Sequence, residues 1–226
     1  MIVISNMKQV ILDTETTGLD WKLGHRVIEI GCIEVSARRI TEDVFHSYFN
    51  PDRRVDLEAQ EVHGLTTEFL LDKPRFPEIL DEFLSFIEGC ELVIHNASFD
   101  VGFLNNEIRL MDSTRGKIED YCQVVDSLAL ARQLHPGQRN SLDALAKRYQ
   151  VDTSQRTHHG GLLDARILAD VYLAMTGGQA DLPFDMSEPQ QKFGEIDRDG
   201  DRDSARDTRD RTDVADDRLI VNRARR

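Results

Sequence analysis

Little in this sequence supports a covalent framework, a membrane span or a broad grip on polyanions. Cysteine is scarce: Cys32, Cys90 and Cys122 are far apart and odd in number. That pattern argues against a disulfide-stapled fold and against a Cys-x-x-Cys zinc site. No run approaches the ~20 consecutive apolar residues that a membrane-spanning helix needs. The opening stretch, MIVISNMKQVILD, lacks the basic region and small-residue cleavage site of a signal peptide, so a cytoplasmic setting is expected. Positive charge is in deficit, with 28 Lys and Arg against 41 Asp and Glu and a net charge of −13. Such a chain does not hold nucleic acid by bulk electrostatics, because phosphate contacts need Lys and Arg. An enzyme that meets nucleic acid locally, through a metal site or delivered by a partner, remains compatible with it.

What is present suits one domain of ordinary size with an appendage. The 226 residues are 40% apolar and 31% charged, enough to bury a core. No internal repeat is visible. The charge is uneven: residues 185–226 carry 12 acids and 10 bases, and residues 1–184 carry 29 and 18. Between Glu195 and Arg218, 16 of 24 residues are charged, with Ile196 and Val214 the only large apolar ones. Such a segment cannot bury enough to offset its ordering entropy, and it reads as a disordered linker over 185–218. Its Asp199-x-Asp201-x-Asp203 fragment lacks the glycine of a calcium loop, since Ser204 stands there.

The body reads as α/β. Strands are expected at 9–13, 26–36, 40–50, 92–95 and 123–126. The 26–36 stretch alternates as a strand with one covered face does. Helices are expected at 77–89, 98–111, 127–134, 141–149 and from 161 to about 175. Ser98 is the expected cap of its helix, and Gly177-Gly178 the stop of the last one.

Four acids stand out against this frame. Asp13 and Glu15 lie at i and i+2 where an apolar strand gives way to Thr16-Thr17-Gly18, so they share a side. Taken alone, the pair reads equally well as a strand end facing water. Asp100 falls in the middle of the apolar arc formed by Phe103, Leu104, Ile108 and Met111. Asp164 does the same among Leu163, Ile167, Leu168, Val171 and Met175. A buried, unpaired carboxylate costs several kcal/mol. Two of them, beside a strand-end pair, suggest a shared cation, and all-oxygen ligation suits Mg²⁺ or Mn²⁺ better than zinc. His159 lies five residues before Asp164 in a Gly-rich loop, with His158 as the alternative. A neutral imidazole there suits a general base near pH 7.

Three stretches resemble, in order, the three motifs of the DEDD superfamily of 3′–5′ exonucleases: ILDTETTGLD (11–20), ELVIHNASFDVGFLNNE (91–107) and HHGGLLDARILADVYLAMTGG (158–178). The His-x₄-Asp spacing of the third is similar to that of the histidine subclass. The intervening VVDSLALARQLHPGQRNSLDALAKRY (124–149) extends the likeness to roughly residues 7–184, toward the proofreading subunits of bacterial DNA polymerase III. The resemblance implies a ribonuclease-H-like fold, a mixed five-stranded sheet flanked by helices, as an exonuclease domain over 1–178. It implies that Asp13, Glu15 and Asp164 hold two divalent cations, with Asp13 bridging them and Asp100 helping to order the second partly through water. It implies His159 as the general base, because His159 keeps the spacing to Asp164. Thr16, Glu58 and His63 would lie near the terminal nucleotide of a DNA 3′ end.

The resemblance also implies partners. Gln179-Ala-Asp-Leu-Pro-Phe184 is similar to the short peptides that dock on the sliding clamp (beta), with Leu182 and Phe184 filling an apolar pocket and Gln179 bonding at its rim. The last segment, 219–226, is the candidate contact with the polymerase III alpha subunit, though shorter than the family's. No membrane contact is expected.

Overall fold

The apolar run before Asp13 becomes the middle strand of a five-stranded sheet. The structure is a computed structural model that describes residues 8–156 and 158–177. The clamp-like peptide at 179–184, the charged linker at 185–218 and the segment 219–226 lie outside the described residues, as does Gly178. The strands are β1 (Gln9–Thr16), β2 (Val27–Ser36), β3 (Arg39–Tyr48), β4 (Glu91–Ile94) and β5 (Gln123–Asp126). Their spatial order is β3-β2-β1-β4-β5. The β1–β2 and β2–β3 pairs are antiparallel, and the β1–β4 and β4–β5 pairs are parallel. The sheet is therefore mixed, as expected.

The helices are α1 (Leu57–His63), α2 (Thr67–Leu70), α3 (Phe76–Ile87), α4 (Ala97–Met111), α5 (Ile118–Tyr121), α6 (Ser127–Leu134), α7 (Leu142–Tyr149) and α8 (Gly161–Gly177). They cover both faces of the sheet. On one face Val10 and Leu12 pack with Phe83 of α3 and Leu104 of α4. On the other, Ile11 and Val93 pack with Leu145 of α7 and with Ile167 and Leu168 of α8. The period of two along β1 divides its side chains between these cores. The same layering buries β2 from Val27 to Ile33 on both sides, so its alternating letters do not mark one wet face.

One helix end differs from the sequence reading. The cap of α4 is Asn96, in the left-handed region at φ 67°, rather than Ser98. Asp126, at the end of β5, accepts from the Asn96 backbone N–H at 3.3 Å and caps α6 through Leu128 N–H at 2.9 Å. A loop that must turn from a parallel strand straight into a helix is held there by a neighbouring strand's acid. At the other end, α8 runs through Gly177, the last described residue, so the expected stop at Gly177-Gly178 lies at the edge of what the structure describes. Ser141 caps α7 by accepting from Ala144 N–H, an interaction worth about 1 kcal/mol. Arg26 grips the buried Glu107 of α4 through two hydrogen bonds, 2.7 and 2.6 Å, and so ties the start of β2 to α4.

Candidate active site

Strand β1 delivers its acids to two helices at once. Asp13 and Glu15 share the face of Ile11, toward α8. Thr14 points the other way, toward α4, and donates its hydroxyl to Asp100 Oδ1 at 2.6 Å. Asp100 and Asp164 sit in the first turns of α4 and α8, with only 4% and 2% of their surface exposed. Helix α8 reaches the strand because two glycines clear its path. A Cβ on Gly31 of β2 would lie 2.2 Å from Leu162 N, and one on Gly161 would lie 3.1 Å from Asp13 O. The acids therefore gather at the C-terminal end of β1, where open α/β sheets place their ligands.

The electrostatics record this crowding. Burial, reinforced by Asp100, Glu15, Asp164 and Glu29, holds the Asp13 carboxyl well above the usual range. Burial and the facing Glu29 push Glu15 up to about 8. Burial pushes Asp100 up to about 7, against the opposing hydrogen bond from Thr14. Carboxyl groups raised together in one pocket are the mark of a site whose negative charge exceeds what its cations offset. Asp164 Oδ1 is buried and has no hydrogen-bond partner among the described residues. One ligand atom each from Glu15, His159 and Asp164 lie within 4.8 Å of one another. This donor set, mostly carboxylate oxygen, fits a hard divalent cation.

His159 Nδ1 stands 3.0 Å from Asp164 Oδ2, while its ring remains 44% exposed on the loop. Its backbone N–H donates to Val62 O at 3.2 Å, which ties the loop to α1. His158 turns away to lie against Gly64. Glu61, Val62, Thr153, His158 and His159 line a cleft of about 390 Å³. A larger hollow of about 670 Å³ opens beside His95, Asn96 and Arg132, and none of the four acids lines it.

The residues expected near a terminal nucleotide are placed unevenly. His63 is buried at the end of α1. It accepts from Leu65 N–H through Nδ1, and burial lowers its pKa. The Thr16 hydroxyl donates to Gly18 O at 2.7 Å. Glu58 is exposed on α1 and makes no side-chain hydrogen bond or ion pair among the described residues. Two residues of the site went unread in the sequence. Glu29, 2% exposed, pairs in register with Glu15 across β1 and β2 and meets His46 Nε2 at 2.8 Å. Arg156 reaches Asp164 Oδ2 at 2.6 Å.

Comparison with known proteins agrees with this geometry. The profile of the Exonuclease family matches residues 10–172. DNA polymerase III subunit epsilon of Salmonella typhimurium (strain LT2) is 56% identical over 193 residues, which cover 83% of this chain and 79% of that one. The Escherichia coli (strain K12) protein of the same name is equally similar over the same shares. Among solved structures, exonuclease X in complex with 5′ overhanging duplex DNA aligns with a TM-score of 0.61 at 26% identity, covering 77% of this chain and 94% of that one. The nuclease domain of 3′hExo, a DEDDh family member bound to rAMP, shares the fold with a TM-score of 0.66 at 18% identity, covering 77% and 94%. An alignment that runs through all three acidic motifs and most of both chains leaves one assignment: this chain belongs to the exonuclease family, among the DNA polymerase III epsilon subunits.

Proposed function

We propose that this protein is a 3′–5′ DNA exonuclease that removes mispaired nucleotides from primer ends beside a replicative polymerase. The observation that carries the reading is the meeting of Asp13, Glu15, Asp100 and Asp164 at one strand end with His159 on Asp164. Asp13, Glu15 and Asp164 would hold two divalent cations, Mg²⁺ or Mn²⁺, and Asp100, steadied by Thr14, would help order the second. When bound, such a pair supplies charge stabilisation for the attacking and leaving oxygens of a phosphodiester.

The remaining steps fall to the chain. His159 takes the proton of the attacking water at a ring nitrogen, and the half-exposed loop lets the ring turn toward it. Helix α1, which carries Glu58 and His63, and Thr16 at the end of β1 form the wall for the terminal nucleotide. The deficit of basic residues keeps affinity for free DNA low, and tethering compensates. Gln179, Leu182 and Phe184 are the tether to the sliding clamp, and 219–226 the contact with the polymerase III alpha subunit. The setting is the cytoplasmic replisome.

A 3′-mismatched primer–template and an RNA oligonucleotide, each offered with Mg²⁺ and then with EDTA, test the reading. Preferential, Mg²⁺-dependent loss of the mismatched DNA end is expected. Faster trimming of RNA would move the substrate class to RNA ends, and no cleavage of either would refute the enzyme. Clamp binding that is unchanged by Leu182→Ala with Phe184→Ala would remove the tether.

A further inference from the structure

Arg156 stands at the centre of the site and has no place in the reaction as described. Its side chain is only 9% exposed. One nitrogen, Nη2, lies 2.6 Å from Asp164 Oδ2 and 2.6 Å from His159 Nδ1. The same nitrogen lies 3.4 Å from His159 Nε2, so it rests against the side of the imidazole rather than on the axis of either ring nitrogen. His159 Nδ1 in turn lies 3.0 Å from Asp164 Oδ2, so the ring and the guanidinium crowd one carboxylate oxygen. The other end of the fork, Nη1, bonds Asp143 of α7. The Nε–H is buried and finds no acceptor among the described residues, so the docked position leaves one donor unmet.

One cation thus sits on an oxygen of a metal-binding carboxylate and against the ring of the base. It is also the positive group that works against the raised pKa of Glu15. We infer that Arg156 is a latch, a resident cation that holds Asp164 and His159 in place of metal and must release them before cleavage. Metal and guanidinium compete for the same negative field. Release of Arg156 frees Asp164 Oδ2 and the side of the His159 ring and leaves the arginine moored to Asp143, ready to return. Arg156 is in this sense a positioning residue, and it acts through Asp164 and His159. The inference rests on the proposal that Asp164 holds metal.

The test is Mn²⁺ binding to the full chain by calorimetry, without DNA. Arg156→Gln removes the competing charge and should bind Mn²⁺ about threefold or more tightly. Arg156→Lys keeps the charge and should stay near the wild-type affinity. In the unaltered protein, the ¹⁵N signals of the Arg156 guanidinium should be those of a restrained group without metal and should average as Mg²⁺ is added. Equal or weaker Mn²⁺ binding by Arg156→Gln, an Arg156→Lys variant as tight as Arg156→Gln, or a guanidinium signal indifferent to Mg²⁺ would overturn the latch alone. Absence of Mn²⁺ binding in every form would overturn the metal-holding role of Asp164 and the latch with it.

Discussion

Gly31 of β2 and Leu162 of α8 touch backbone to backbone, with no room between them for a single carbon. A Cβ on Gly31 would lie 2.2 Å from Leu162 N and 2.3 Å from Leu162 Cα. Neither neighbour is the movable tip of a side chain. Gly31→Ala should therefore push the first turn of α8, and Asp164 with it, off the end of β1. The expected result is a folded protein about 2–4 kcal/mol less stable with exonuclease activity reduced at least tenfold. Thermal melts and single-turnover cleavage of a mismatched primer check it. Wild-type activity in Gly31→Ala would mean that α8 can seat elsewhere without cost to the site.

The Thr14–Asp100 bond offers a milder perturbation. Thr14→Val keeps the shape and removes the one side-chain donor that stabilises the ionised Asp100. The loss should cost about 1–2 kcal/mol and raise the Asp100 pKa further, above about 7. More Mg²⁺ should then be needed for half-maximal activity, with the maximal rate changed less. Thr14→Ser, which restores the donor, should return the wild-type Mg²⁺ dependence. An unaltered Mg²⁺ curve in Thr14→Val would separate Asp100 from metal binding.

Crowded acids make the metal-free protein sensitive to pH in an unusual sense. Glu15 at about 8 and Asp100 at about 7 bind protons more tightly folded than unfolded, where carboxyls titrate near 4. Their contribution to stability is complete below that unfolded value and is lost as pH rises through 7 and 8. In EDTA the melting temperature should fall between pH 6 and about 8.5, and Glu15→Gln should flatten that fall. Mg²⁺ should restore more stability at the alkaline end, because the cation binds the ionised carboxylates. A melting temperature that rises with pH in EDTA, unaffected by Glu15→Gln, would contradict the crowding.

The helical acids were readable because each breaks a local rule. Asp100 and Asp164 interrupt apolar helical arcs, so their burial could be inferred before any contact was known, whereas Asp13 and Glu15 at the end of an apolar strand read equally well as facing water. Glu29 breaks no such rule. It sits where an alternating strand would carry a polar residue, and only the helices on both faces of the sheet bury it. Arg156 lies in a loop without period, and its partners Asp143 and Asp164 come from different helices. Short helices α1 and α2 have too few turns to show an apolar stripe, so neither was expected as a helix. The Asn96 cap was obscured by Ser98, an equally good cap by side-chain chemistry. The deciding force was the sharp left-handed turn from β4, held by Asp126.

The two adjacent histidines give the sharpest contrast in the reaction itself. His159 meets Asp164, whereas His158 lies against Gly64, so their alanine variants should part company. His159→Ala should lower the single-turnover rate about 10²–10⁴-fold, the usual contribution of a positioned base. Its Mn²⁺ affinity should stay close to wild type, since the carboxylates supply most of the ligand field. Asp13→Ala removes a carboxylate from the middle of the cluster and should lose both rate and metal affinity. His158→Ala should remain within a few-fold of wild type in each measurement. A greater loss of rate in His158→Ala than in His159→Ala would transfer the role of base to the neighbouring ring, and with it the meaning of the Asp164 contact.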